Sequence, residues 1–222
     1  DLFSISDEYG AGLILWHPKG GIVRMEMERL LKEELESRGY SFVFTPHIAK
    51  RALWVTSGHE GNYSDSMYAP TSIEDEEYRL KPMNCPFHIE IYASAHHSYR
   101  DLPVRLAEFG TVYRYEQSGE LNGLTRVRGF TVDDAHLLVA PNQLLEEFKK
   151  VVSLIQNIFN SLGLTDFRAR VGTRDPKSDK YVGDDELWDN ATSAIVQACD
   201  ELKLPYTVEE GEAAFYGPKD DI

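Results

Sequence analysis

Phe109-Gly-Thr-Val-Tyr-Arg-Tyr-Glu116, a glycine-bearing loop, and Arg126-Val-Arg-Gly-Phe-Thr-Val-Asp-Asp-Ala-His136 decide how this chain is read. The two runs predict the strands of an antiparallel hairpin. Side chains alternate between the faces of a strand. Arg114 and Glu116 therefore share one side of the first run, and Arg126, Arg128, Phe130, Val132, Asp134 and His136 share one side of the second. Arginines beside an aromatic ring suit a nucleotide, because the planar guanidinium grips phosphate through a fork of donors and stacks on rings. Asp134 and His136 continue that face toward the place of a second substrate. The loop 117–125 carries Gly119 and Gly123, which allow the dihedrals and close approach of a ligand-clamping loop.

Upstream, Val23, Met27, Leu30, Leu31 and Leu35 fall at the spacing of one helix face and predict a helix over 20–38, stopped by Gly39. A strand over 41–45 ending at Pro46, a short helix over 49–58, an irregular polar stretch over 62–77 and a strand over 78–80 follow. Residues 85–99 predict a helix opening at a proline-flanked turn. Downstream, Leu145, Phe148, Val152, Ile155, Phe159 and Leu162 step by three and four, so 141–162 predicts a helix that Gly163 ends. A strand over 167–171, a helix through Trp188, Ile195, Cys199 and Leu202, and strands over 206–208 and 213–216 complete the pattern. The expectation is one α+β domain, an antiparallel sheet flanked by helices.

With 222 residues, 42% of them hydrophobic, the chain can bury one sizeable core. No run approaches the roughly 18 consecutive apolar residues of a membrane span, and the start Asp1-Leu-Phe-Ser-Ile-Ser-Asp7 lacks a basic secretory signal. A cytoplasmic protein without membrane contact is expected. Cys85 and Cys199 are too few for a disulfide framework, and Cys199 falls on the core face of its helix. A net charge of −14 argues against a surface built for nonspecific nucleic-acid binding. Five arginines and no lysine between Arg100 and Arg128 point instead to shaped recognition of phosphate.

The hairpin resembles motif 2 of the class II aminoacyl-tRNA synthetases, most nearly their threonine-specific branch. Thr56-Ser-Gly-His59 with Asn62-Tyr63, Lys81-Pro-Met-Asn-Cys-Pro86, Ser98-Tyr-Arg-Asp-Leu-Pro103 and Gly211-Glu-Ala-Ala-Phe-Tyr-Gly-Pro-Lys219 all fall in that family's order. The resemblance implies the class II catalytic fold over 1–222. It also implies ATP-dependent activation of L-threonine and its transfer to tRNA(Thr), in a homodimer built through the motif 1 helix and strand. It assigns Arg114 to the α-phosphate and the substrate carboxylate, Glu116 to the adenine amino group, Arg126 to the far phosphates and Phe130 to the adenine face, with Mg2+ accompanying ATP. Cys85 and His136 become two ligands of one Zn2+ per subunit, the third being a histidine expected beyond residue 222. Met83 lines the threonine pocket, Asp134 accepts a hydrogen bond from the threonine hydroxyl, and Tyr216 helps hold the amino group. His59, as an orienting or proton-handling group, and Lys219 join Arg114 in the catalytic set.

Spacing alone does not carry the metal, since no CxxC or HxxxH pattern joins Cys85 and His136. Motif 3 and the anticodon-binding and editing modules fall outside these residues, and Asp220-Asp221 stand where the family continues with an apolar strand residue. The rival readings are a noncatalytic synthetase-like module that binds nucleotide, tRNA or a protein partner, and a related synthetase for serine or proline. Phosphate-binding and metal-binding residues kept together favour the threonine enzyme. His17, His47 and His88 are expected in satisfied structural roles, His96 and His97 at solvated helix positions, and 74–77 in a solvated acidic loop.

Overall fold

The computed structural model describes all 222 residues and divides them into units of residues 1–138 and 139–222. The first unit opens with a short antiparallel pair, β1 (Phe3–Ser4) and β2 (Leu15–Trp16), followed by helix α1 (Pro18–Ser37). Pro18 suits the first helical position, where its missing N–H costs nothing. Of the apolar face expected on α1, Leu35 is buried while Val23 and Met27 remain 51% and 44% exposed. Ion pairs Arg24–Glu28 and Arg29–Glu33, each one turn apart, lie along the helix.

The strand expected over 41–45 shortens to β3 (Ser41–Phe42), because the Thr45 N–H bonds the Glu108 carboxylate instead of continuing a ladder. Next come β4 (Ile48–Lys50), α2 (Arg51–Thr56), α3 (His59–Tyr63), β5 (Thr71–Ile73) and β6 (Glu76–Leu80). The three strands pair antiparallel in the order β4-β6-β5, so part of the stretch expected to be irregular is a hairpin. Helix α4 (Cys85–Ala93) stops short of its expected end at 99. There the Ser94 hydroxyl bonds the Ile91 carbonyl, and His97 stacks on Tyr92 with ring centroids 4.0 Å apart. His97 is thus folded back on the helix end rather than carried on it.

The centre of this unit is β7 (Val104–Tyr113) paired antiparallel with β8 (Gly129–Leu138), ten residues each, with β3 parallel along the outer side of β7. Register places Leu106 opposite His136, Glu108 opposite Asp134, Gly110 opposite Val132 and Val112 opposite Phe130. These eight residues share one face by alternation.

The second unit contains α5 (Leu144–Ser161), β9 (Ala169–Thr173), α6 (Asp185–Glu201), β10 (Tyr206–Glu210) and β11 (Lys219–Asp221). Strand order is β10-β9-β11; β10 runs parallel to β9 through the α6 crossover, and β11 runs antiparallel to β9. Val152, Ala169, Val171, Ile195, Cys199 and Leu204 form its core, with Phe148, Phe167 and Ile222 packed against it. Gly163 follows α5 at φ 75°, the left-handed stop its sequence position predicts. Residues 213–216 are not the expected strand: Ala214 bridges Gly217 in a tight turn, and the N–H groups of Gly211 and Ala213 both point to the Thr173 carbonyl. No helix is long and apolar enough to cross a membrane.

Candidate active site

Helix α4 begins against the central hairpin at a point where a side chain on the strand would be in the way. A Cβ at Gly110 would lie 2.3 Å from the Asn84 amide, so only glycine lets the loop before α4 settle onto β7. Asn84, itself buried, donates from Nδ2 to Asp134 Oδ2 at 3.1 Å. The next residue, Cys85, starts α4, and His88 stands one helical turn further along on the same side.

The donor atoms of Cys85, Asp134 and His136 come within 4.8 Å of one another. Two strand residues of matching parity and one helix N-terminal residue therefore converge, although 49 positions separate Cys85 from Asp134. Burial, reinforced by the Asp134 carboxylate, pushes the Cys85 thiol up to about 11, against the pull of the Arg114 charge. Burial likewise lowers His136, with Asp134 opposing and His88 adding to the shift. A thiol, an imidazole and a carboxylate gathered in a half-buried site are the donor types that zinc takes. A divalent cation would also reverse the electrostatics that keep the thiol protonated, since metal ligation favours the thiolate. The residues present fit such an ion.

Beside this cluster the Arg114 guanidinium lies 5.2 Å from the centre of the Phe130 ring, and its Nε donates to the Pro82 carbonyl at 3.3 Å. Arg114 and the aromatic ring thus form a shelf next to the metal-type donors. Arg114, Glu116, Arg126 and Arg128 do not lie on strands as alternation predicts. The ladder ends at Tyr113 and Gly129, where the Tyr115 N–H turns away to the Ser66 carbonyl and breaks the period of two. Convergence survives by other contacts: Arg126 Nε donates to Glu116 Oε2 at 2.9 Å, Arg128 Nε to the Glu116 carbonyl at 2.9 Å, and Arg128 lies 5.3 Å from the Tyr115 ring centre.

The other expected site residues lie apart from this cluster or in the other unit. His59 is buried at the start of α3, its Nδ1 2.9 Å from Ser57 Oγ and its ring edge-on to Trp54; burial lowers its pKa, and its Nε2 has no partner. None of these contacts reaches the Cys85 group. Met83 is half-buried in the loop before α4. Tyr216 and Lys219 belong to the second unit. Tyr216 packs edge-on to Phe215 and lines a cavity of about 670 Å3 with Trp188 and Pro218, while Lys219 Nζ sits 3.1 Å from Asp221. That cavity contains none of the clustered charged residues, so volume does not mark the chemistry here. In the first unit, a cavity of about 560 Å3 lies on the opposite, odd-numbered face of the hairpin, lined by Trp16, Val23, Met27, Thr131 and Asp133.

Sequence reasoning overlooked a polar network beneath the site. Glu108 Oε1 accepts from the Thr45 N–H at 2.7 Å, and Thr45 Oγ1 donates to Oε2 at 2.9 Å. Lys81 Nζ donates to Thr45 Oγ1 at 2.8 Å and lies 3.7 Å from the carboxylate. His88 connects Glu108 to His136. Burial pushes the Lys81 ammonium below its usual range, with Glu108 pulling it back. The spacing Cys85-Pro-Phe-His88, one turn on a helix, and the shared parity of Glu108 and Gly110 were the available signals. His88 is structural in the sense expected, but its partners tie it to the site. His17 and His47 find polar partners in Ser4 and Tyr113.

Residues 68–222 match the tRNA synthetase class II core domain (G, H, P, S and T). The chain belongs to that family. As a class II core it is 58% identical over 222 residues to a threonine-tRNA ligase of Deinococcus deserti, covering 100% of this chain and 34% of the relative. It is 59% identical over 227 residues to a threonine-tRNA ligase of Gloeobacter violaceus, covering 100% of this chain and 36% of the relative. The solved RNA binding domain of threonyl-tRNA synthetase from Cryptosporidium parvum superposes with a TM-score of 0.90 at 37% identity, covering 99% of this chain and 54% of that one. The chain spans about a third of the length of the curated relatives it matches. The α+β fold of class II synthetases, expected from the hairpin and its flanking blocks, is borne out.

Proposed function

We propose that the protein carrying this chain is a threonine-tRNA ligase: it activates L-threonine with ATP and passes the threonyl group to tRNA(Thr). The observation that carries this is the Cys85, Asp134 and His136 donor group, gathered from the start of α4 and from β8, beside the Arg114 and Phe130 shelf. Relatives named for the same activity support it at 58% and 59% identity.

In the first step a threonine carboxylate oxygen bonds to the α-phosphorus of ATP and pyrophosphate leaves with the electrons of the broken P–O bond. Arg114, 5.2 Å from the centre of the Phe130 ring, is assigned to the carboxylate and the α-phosphate, where it would give charge developing on phosphate oxygens a fixed donor. Phe130 offers its face to adenine. Glu116 accepts from the adenine amino group and Arg126 moves to the far phosphates, each giving up its ion pair with the other, while Mg2+ accompanies the nucleotide. In the second step a hydroxyl of the terminal tRNA ribose bonds to the threonyl carbonyl carbon and AMP leaves; His59 and Lys219 are assigned to orient the groups of these steps.

Cys85 and His136 would hold a Zn2+ ion, which when bound would supply a Lewis acid for the amino and hydroxyl groups of threonine. Asp134 accepts the hydrogen bond of that hydroxyl, oriented by Asn84, while Met83 lines the pocket and Tyr216 helps hold the amino group. A site that demands a hydroxyl rejects valine far better than an apolar pocket judging shape, because valine leaves polar groups unpaired. A homodimer through α1 and the β3 strand, and a cytoplasmic location, belong to the same reading. Exposed Ile22, Val23, Met25 and Met27 on α1, with Phe44 91% exposed after β3, support the interface.

Amino-acid-dependent exchange of pyrophosphate into ATP tests this reading on the intact protein. Exchange with threonine, weak exchange with serine and none with valine is the expected pattern. Exchange with proline, or with no amino acid, would replace the reading with a related synthetase or a noncatalytic module.

A further inference from the structure

Arg126 and Arg128 both reach Glu116, and they do so in different ways. Arg126 is exposed and meets the carboxylate, its Nε 2.9 Å from Oε2 and its Nη2 3.5 Å from Glu120. A surface ion pair of this kind is weak and easily exchanged, since water and salt screen it. Arg128 is half-buried and meets the backbone instead. Its Nε donates to the Glu116 carbonyl at 2.9 Å and its Nη1 to the Ala11 carbonyl at 3.4 Å. Its guanidinium also lies 5.3 Å from the centre of the Tyr115 ring. No step described above uses Arg128.

The backbone at Glu116 is where such a tie matters. The Arg114 N–H crosses the hairpin to the Arg128 carbonyl at 3.0 Å. Beyond that crossing the Tyr115 N–H turns to the Ser66 carbonyl at 2.9 Å, and the Glu116 N–H folds back on the Arg114 carbonyl at 3.0 Å. The Arg128 side chain takes over the link that the ladder has given up. Its own place is fixed from behind, because the Arg128 N–H donates to the Gly12 carbonyl at 2.7 Å. Gly12 has φ 75°, and a Cβ there would lie 3.1 Å from the Arg128 nitrogen and 2.8 Å from Leu121. Glycine is what lets this segment close on Arg128. A guanidinium donates along fixed directions while it stacks on a ring, which an ammonium does not reproduce.

We propose that Arg128 is a positioning residue for the nucleotide: by holding the Glu116 carbonyl, it keeps the Glu116 carboxylate in place for the adenine amino group after Arg126 has left for the phosphates. The proposal rests on the nucleotide reading given above. It adds a division of labour between two arginines two residues apart, one that exchanges partners and one that does not.

The experiment follows threonine-dependent pyrophosphate exchange in the intact protein with ATP and with purine riboside triphosphate, which lacks the amino group. A hydrogen bond to a carboxylate contributes about 10- to 100-fold, so the unsubstituted protein is expected to favour ATP by that factor in kcat/KM. Arg128→Met is expected to lose most of the preference with KM for threonine unchanged, and Arg128→Lys, which can keep one of the two bonds, to lose less. Arg126→Ala is expected to raise KM for both nucleotides alike and to keep the preference. On the unsubstituted protein, the Arg128 Nε–H resonance is expected to stay hydrogen-bonded when a nonhydrolysable ATP analogue is added, while the Arg126 Nε–H resonance shifts. That reading stands even if Arg128→Met folds poorly. An unchanged preference in folded Arg128→Met, or an equal rise in KM for both nucleotides, which marks direct contact with phosphate, would overturn the proposal. Loss of the Arg128 Nε–H bond on nucleotide binding would do the same. Equal use of the two nucleotides by the unsubstituted protein would remove the Glu116 reading, and the proposal with it, while leaving threonine activation intact.

Discussion

Each unit of this chain withdraws a carboxylate oxygen from water, and the two are treated in opposite ways. Glu108 in the first unit is met by Thr45, Lys81 and His88, so every side of its charge has a donor. Asp220 in the second unit has only the Cys199 thiol, 3.8 Å from Oδ2, and its Oδ1 is buried without a partner. Burial accordingly raises the Asp220 pKa. The contrast separates two meanings of a polar group in a core. Around Glu108 polarity is organised toward His136 and the face of β7 and β8; at Asp220 it is simply strain within a sheet whose other core residues are apolar.

The sharpest way to break the comparison is to delete Glu108. Glu108→Leu leaves Lys81 buried without its counter-charge and His88 without its carboxylate partner, and is expected to destabilise the protein by about 3–5 kcal/mol, read from denaturant unfolding. Glu108→Gln, which keeps an acceptor oxygen, should lose much less. Next in size is the shelf above the network. Arg114→Ala is expected to lower the threonine-dependent exchange rate about 100- to 1,000-fold with unchanged unfolding, because the side chain holds charge rather than core. An equal loss of stability and rate would place Arg114 among the structural residues.

Asp220 should respond with the opposite sign. Asp220→Val, which supplies the apolar residue that the family resemblance implies, is predicted to stabilise by about 1–3 kcal/mol by removing an unpartnered buried oxygen. Its pH signature is the smallest and most specific test. An acid whose folded pKa is raised holds its proton in the folded state after the unfolded chain has released it. Stability should therefore fall as pH rises from about 4 through the folded value, and Asp220→Val should flatten that decline. A pH profile unchanged by the substitution would mean that Asp220 is solvated.

The sequence made local and periodic features legible. Leu145, Phe148, Val152, Ile155 and Phe159 announced α5 because a long amphipathic stripe has few other solutions. The hairpin was visible for a similar reason, and parity along β8 correctly grouped Phe130, Asp134 and His136 on one face. Parity failed past Arg114, where Tyr115 leaves the ladder for Ser66, and at Arg126, which bridges Asn122, so a period of two no longer holds. Features that depend on distant pairing were hidden. Nothing near Glu108 announces Thr45, 63 residues away, as its partner. Residues 213–216 have strand-like composition but turn where the Thr173 carbonyl accepts the N–H groups of Gly211 and Ala213. In the second unit the edge position went to β11, whose Asp220 no hydrophobic pattern would select.

The measurement that tests the central claim most directly is X-ray absorption at the zinc edge on the intact protein, recorded alone and with threonine or valine. The account predicts one zinc with a sulfur donor lost in Cys85→Ser and a nitrogen donor lost in His136→Ala, together with a change in the zinc environment on adding threonine that valine does not produce. Zinc absent, bound without Cys85 sulfur, or indifferent to threonine would contradict it.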